Sequence, residues 1–210
     1  MEDLRPRDPA GKSRHDRRRR NYERLLCMPL IVTVPGPCIA RLRFSTTNQL
    51  ESELIRLDTG GPWSHVESIE DNSPPDGPHI VAAQTSFVEG TPDPGVRRFP
   101  LNYDFWSIKQ CFVDIPMSKE QYEAWIGFLW DQCGLPFDNI AFLGFAIPIL
   151  NMHQRGAWIC SALQTAALRK SGFPAPIEEA TYHESPNALF AFLQTLGNRV
   201  LIHPIECDVV

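Results

Sequence analysis

Two side chains far apart in this chain could carry out chemistry together: the imidazole of His65, in Trp63-Ser64-His65-Val66, and the thiol of Cys160, in Trp158-Ile159-Cys160-Ser161-Ala162-Leu163. A cysteine that opens a helix is suited to nucleophilic attack. The unsatisfied N–H groups and positive dipole end of a first helical turn stabilise a thiolate and can donate to an oxyanion. Imidazole titrates near neutrality and can take the thiol proton. Each residue also has a structural explanation, since free cysteine is among the most buried residue types and a lone strand histidine is usually packed and hydrogen-bonded. The pairing of the two points to a nucleophile and its base.

The other residues of these types lack such positions. Cys111 and Cys133 lie in apolar strand or helix patterns, and Cys27, Cys38 and Cys207 lie near the ends. His15 is in a polar tail, His79 ends a loop, and His153, His183 and His203 sit in polar or proline-flanked stretches. With no CxxC pair and no alternation of cysteine with histidine, the pattern predicts no structural metal, and the chemistry needs no cofactor. Scattered cysteines without a clear secretory leader read as reduced thiols, which predicts a cytoplasmic location.

The elements that must position the pair can be read from periodicity. Ile39-Ala40-Arg41-Leu42-Arg43-Phe44 alternates as a half-buried strand. Asn48 is placed to cap a helix on which Leu50, Leu54, Ile55 and Leu57 recur, stopped by Gly60-Gly61-Pro62. A strand over Trp63 to Ile69 carries His65. A turn-rich connection from Glu70 to Pro78 leads to a second strand, Ile80 to Phe87, as a hairpin with a long loop. Further strands are expected at Val96 to Leu101 and Ile108 to Ile115. The first half thus reads as an antiparallel sheet.

The second half is helical. Ser118 with Gln121 fits a capping box ahead of the stripe Tyr122, Trp125, Ile126, Leu129 and Trp130, ending near Gly134-Leu135-Pro136. Phe137 to Leu150 reads as one or two short buried helices, with Asp138 a cap or turn residue. Trp158 to Ser171 is a helix with Cys160 in its first turn, stopped by Gly172. Ser185-Pro186 starts a last helix through Leu196-Gly197, with serine at N-cap and proline at N1.

The 210-residue chain is long enough for a sizeable core, and its net charge of −5 conceals an asymmetry. Residues 1–24 carry nine Lys/Arg against five Asp/Glu, leaving 11 basic and 20 acidic residues in the remainder. Residues 1–27 read as a basic disordered tail, because ordering them would cost entropy with no buried surface in return. Met28-Pro29-Leu30-Ile31-Val32 also looks like a start, so this segment is either a tail or an artefact of the gene start. The body, 28–210, reads as one domain. Nucleic-acid binding through the tail is not the expected role. Leu25 to Val34, broken by Pro29, is too short to cross a bilayer, and no A-x-A cleavage site supports an export signal.

Four phrases resemble a known family: Leu54-Ile55-Arg56-Leu57-Asp58-Thr59-Gly60-Gly61-Pro62-Trp63-Ser64-His65-Val66-Glu67, then Gly95-Val96-Arg97-Arg98-Phe99-Pro100-Leu101, then Gly134-Leu135-Pro136-Phe137-Asp138, then Trp158-Ile159-Cys160-Ser161. They look like the permuted papain-like, NlpC-like hydrolases of the YiiX type, found in bacteria and phages. The resemblance covers roughly residues 39 to 175. In papain-like enzymes the cysteine helix precedes the histidine strand. The permuted branch, which also includes lecithin retinol acyltransferase, reverses that order, as here. The resemblance implies an α+β, papain-like (circularly permuted NlpC-like) fold, with an antiparallel sheet packed against a cysteine-bearing helix. It also implies Cys160 as nucleophile and His65 as base.

In that family a polar residue on the strand after the histidine strand orients the imidazole. Gln84 is the best match, His79 the second, and a placement that puts Ala82 there is also open. Many relatives have Cys-Ser-Glu where this chain has Cys160-Ser161-Ala162, so any role of that glutamate is absent. Glu67 shares a strand face with His65 and is a candidate contributor to the site, but an acid on a strand is usually exposed and solvated, which is the expected reading. The expected function is a cysteine hydrolase, of the peptidase or amidase type, acting through a thioacyl intermediate. Its substrate would be a peptide, a peptidoglycan fragment or a lipid ester, with Trp63 and Trp158 either lining the cleft or packed in the core. Two alternatives are a catalytically retired module that binds a ligand or partner in the same cleft, and a phage-associated structural protein.

Overall fold

The computed structural model describes residues 38–70, 79–84, 94–100, 107–139, 154, 156–176 and 184–206. Residues 1–37, and with them the predicted tail, lie outside the described residues, as does most of the expected helical region up to Leu150. Along the chain come β1 (Cys38–Thr46), α1 (Leu50–Thr59), β2 (His65–Glu70), β3 (His79–Gln84), β4 (Gly95–Pro100), β5 (Lys109–Met117), α2 (Lys119–Gln132), α3 (Cys160–Lys170), α4 (Pro186–Thr195) and β6 (Leu201–Glu206). The class is α+β. Six strands form one antiparallel sheet in the order β4-β3-β2-β1-β5-β6.

β1 lies inside the sheet, and its alternation divides the molecule into two faces. Ala40, Leu42 and Phe44 join Val66, Val81, Val96 and Val113 in the main core against Trp125 and Leu129 of α2, Leu163 and Ala167 of α3, and Leu189 of α4. Ile69, Ile80, Ala82, Phe99 and Phe112 make a smaller cluster on the opposite face. Both faces therefore exclude water near the centre of the sheet. Any charge there must be paired.

The capping box at Ser118 and Gln121 forms as predicted, and Ser185 caps α4, accepting from Ala188 N at 3.1 Å with Pro186 in the first turn. Two elements differ from the sequence expectation. α1 is capped at Gln49 rather than Asn48, and of its apolar stripe only Ile55 is buried, Leu50, Leu54 and Leu57 facing outward. A sixth strand, β6, extends the sheet at the C-terminal end. Pro204 hides it in the sequence, since proline weakens a strand pattern and is tolerated at a sheet edge, which β6 occupies. Among the described residues no helix is long and apolar enough to cross a membrane.

Candidate active site

The two family-like phrases around Gly95 and Gly134 turn out to brace the approach to Cys160. Val96 N donates to Leu135 O and Gly134 N to Val96 O, both at 2.8 Å. One step further, Trp158 N donates to Pro136 O and Asp138 N to Trp158 O, both at 3.0 Å, with Phe137 and Trp158 in a parallel bridge. A continuous hydrogen-bonded path thus runs from β4 to the residues before the cysteine helix. Gly95 has φ +120°, and a Cβ there would collide with the Leu135 carbonyl, so only glycine fits. Asp138 is a buried turn residue, as expected, accepting from Gln154 N at 2.9 Å.

Cys160 is the first residue of α3, which is buried on nearly every side. On the sheet side, Gln164 accepts from Ser68 Oγ on β2 and donates through Nε2 to Val81 O on β3 at 3.2 Å. This fixes how far along β2 the helix starts. The opening of β2 is held separately. Asn187 of α4 accepts from Trp63 N and donates to Trp63 O, each at 2.8 Å, and Ser64 N donates to Ser45 O at 3.1 Å.

The result brings His65 and Cys160 together: the imidazole hydrogen-bonds the thiol. Burial alone would raise the thiol. The charge and hydrogen bond of His65, with the backbone N–H groups of Val66 and Ser161, outweigh it and hold Cys160 below the ordinary thiol range. Burial alone would also push the imidazole down. The negative charge on Cys160, and then Glu67, overcome this and take His65 up to about 10. The pair favours the imidazolium–thiolate form. Two other thiols, Cys111 and Cys133, behave oppositely, since burial pushes Cys111 up to about 11 and also raises Cys133.

Glu67 corrects the sequence expectation. It is fully buried, not solvated, and its Oε2 lies 3.3 Å from His65 Nε2. Its Oε1 pairs with the guanidinium of Arg43, also fully buried, directly opposite on β1. A chain Arg43–Glu67–His65–Cys160 therefore runs across two strands to the helix. The signal available in the sequence was the i, i+2 spacing of His65 and Glu67. What it lacked was the β1–β2 register that sets Arg43 against Glu67.

Gln84, the preferred third residue, closes β3 opposite Gly95, and its side chain lies outside the described residues. The β2–β3 ladder runs Ser68↔Val81, Ile69↔Ile80, Glu70↔His79. Continued, it would set Ala82 level with Glu67 and Gln84 level with His65. His79 lies at the far end of β2, about 17 Å along the strand from His65 by the usual rise per residue. Of the two tryptophans, Trp63 is core, packed on Phe44 and Phe190, while Trp158 is half-buried against Phe128 with its Nε1 donating to Gln132 at 3.0 Å.

No family model and no curated protein matches this chain. Among solved structures it is similar to the metalloprotein YiiX from Escherichia coli O157:H7, at 14% identity and a TM-score of 0.54, over 80% of this chain and 96% of that one. The likeness is one of fold, a YiiX-like α+β arrangement.

Proposed function

We propose that this protein is a cysteine hydrolase of permuted papain-like architecture that cleaves an amide or ester bond. The observation that carries the proposal is the buried line Arg43–Glu67–His65–Cys160, ending on a thiol held below its usual range. The order of histidine strand before cysteine helix supports the permuted reading.

Cys160 thiolate attacks the carbonyl carbon. The negative oxygen that forms is within the field of the first turn of α3, whose opening N–H groups have no acceptor inside the helix. Formation of the carbon–sulfur bond in the tetrahedral adduct removes the thiolate charge that holds the His65 proton, before the adduct collapses and expels the leaving group. The imidazolium thereby becomes a stronger acid and protonates the leaving group. The neutral ring then accepts a proton from water, which attacks the thioacyl carbonyl and releases the acyl product. Glu67 stabilises the imidazolium and fixes the ring, and Arg43 keeps Glu67 ionised in a dry site. Peptide, peptidoglycan-derived and lipid ester carbonyls all suit this chemistry.

The fold neighbour is described as a metalloprotein, but the donor set here does not suit a metal. Among the described residues no group of three or more His, Cys, Asp or Glu could hold an ion, and Glu67 already pairs with the Arg43 guanidinium, which would repel one.

The test is the pH dependence of iodoacetamide alkylation at Cys160, located by peptide mapping, beside hydrolysis of an activated aryl ester. Alkylation is expected to persist well below the pH at which ordinary thiols fall silent. Hydrolysis is expected to decline as pH rises through about 10, where His65 loses its proton. A Cys160 that reacts no faster near neutral pH than Cys133 would sink the proposal.

A further inference from the structure

The outer side of α3 carries a contact set that the chemistry above leaves unused. Glu184, just before the Ser185 cap of α4, is buried. Its backbone carbonyl accepts from Ser161 Oγ, and its carboxyl Oε2 accepts from Thr165 Oγ1 at 2.6 Å. These two donors sit beside the cysteine and one turn further along. The helix start has no cap of its own, since the N-cap is Ile159, with no side-chain hydrogen bond, and the first turn holds no acid. Uncapped helix ends fray. Cys160 is the residue at that end.

We propose that Glu184 is a positioning residue for Cys160, clamping the first two turns of α3 from outside while Gln164 holds them to the sheet. The proposal rests on the reading of Cys160 as nucleophile. Glu184 is kept in place at a cost. Burial pushes its carboxyl up to about 7, only partly offset by the Thr165 hydroxyl and by Arg169, the charged neighbour on α3. An apolar side chain of similar size would fill this space without that cost, but it could not accept from Thr165. Held helical, the first turn keeps the Ser161 N–H on the sulfur, one of the contacts that lowers the thiol. Released, it lets the sulfur move away from His65.

The experiment uses the full chain and compares wild type with Glu184→Ala, Glu184→Gln and Thr165→Val, measuring the iodoacetamide rate at Cys160 across pH and the thermal midpoint. Glu184→Ala is expected to move the alkylation profile toward higher pH by about one unit, an approximately tenfold loss of rate on the acid limb of the profile. Thr165→Val, which removes the same hydrogen bond while Ser161 keeps its contact to the Glu184 backbone, is expected to shift it in the same direction, and Glu184→Gln, which can still accept from Thr165, to keep the wild-type profile. A lowered midpoint with superimposable profiles would overturn the proposal, leaving only a structural role. So would a Gln variant as impaired as Ala. If Glu184→Ala does not fold, an unshifted Thr165→Val profile is enough to reject it. A wild-type Cys160 that behaves as an ordinary thiol removes the nucleophile reading and this proposal together, whereas a reactive wild type with unaffected variants removes this one alone.

Discussion

The sheet carries two arrangements of arginine, acid and histidine, both built from the same face of β1. Arg43 meets Glu67, which lies 3.3 Å from His65. Two residues earlier, Arg41 grips Asp114 of β5 through two hydrogen bonds of 2.6 and 2.8 Å, and Asp114 lies 3.3 Å from His203 of β6. The residue types and the acid–histidine distance are alike. Surroundings separate them. His203 is 35% exposed on an edge strand, whereas His65 is 17% exposed, with Arg43 and Glu67 wholly buried. Only the first triplet ends on a thiol. On the proposed function, a carboxylate and histidine side by side are not a catalytic feature in themselves. Dehydration of the charges and a nucleophile at the far end make the difference.

That contrast can be broken most directly at the thiol. Replacing Cys160 or His65 by alanine should lower ester hydrolysis by about 10³-fold or more, while His203→Ala should stay within about twofold of wild type. Equal losses at both histidines would remove the distinction between the two triplets.

Next in size is the arginine pair. Arg43→Met strands a buried Glu67 carboxylate, which should cost roughly 3–5 kcal/mol in denaturant unfolding; Arg41→Met should cost less, since Arg41 is 16% exposed where Arg43 is wholly buried, although Asp114 is itself nearly buried. Similar costs at the two positions would mean that burial is not what sets them apart.

The smallest expected effect comes from the acids. Glu67→Gln keeps the shape but loses the charge behind the imidazole, and should reduce hydrolysis by about 10²-fold with little change in substrate KM. Asp114→Asn should leave both constants where they are. If Glu67→Gln were silent while a Gln84 variant were impaired, Gln84 would replace Glu67 as the partner of His65.

The sheet strands were legible because their alternation sorts apolar from polar residues at period two, as in β1. The capped starts of α2 and α4 were legible because Ser118 with Gln121, and Ser185 with Pro186, satisfy helix ends locally. β6 was not, because His203-Pro204 interrupts its pattern and its stability comes from pairing with β5. α1 was half legible, since its spacing is helical but its leucines face outward. Within the site, Cys160 and His65 could be singled out from local context. Glu67 was misjudged as solvated, because whether a strand acid faces water or an arginine depends on the neighbouring strand.

What the sequence determined by itself was therefore a set of local commitments: most of the strands and helices, β6 excepted, that a cysteine begins a helix, and that a histidine and a glutamate share a strand face. Those follow from periodicity and capping, which act over a few residues. Tertiary structure alone decided that Arg43 stands opposite Glu67, that Gln164 and Glu184 grip the cysteine helix from two sides, and that the thiol and imidazole meet. Each of these depends on strand register and helix placement between residues distant in the chain. Burial by itself raises the thiol, so it is the placement of the His65 charge and of the Val66 and Ser161 N–H groups on the sulfur that takes Cys160 below its normal range.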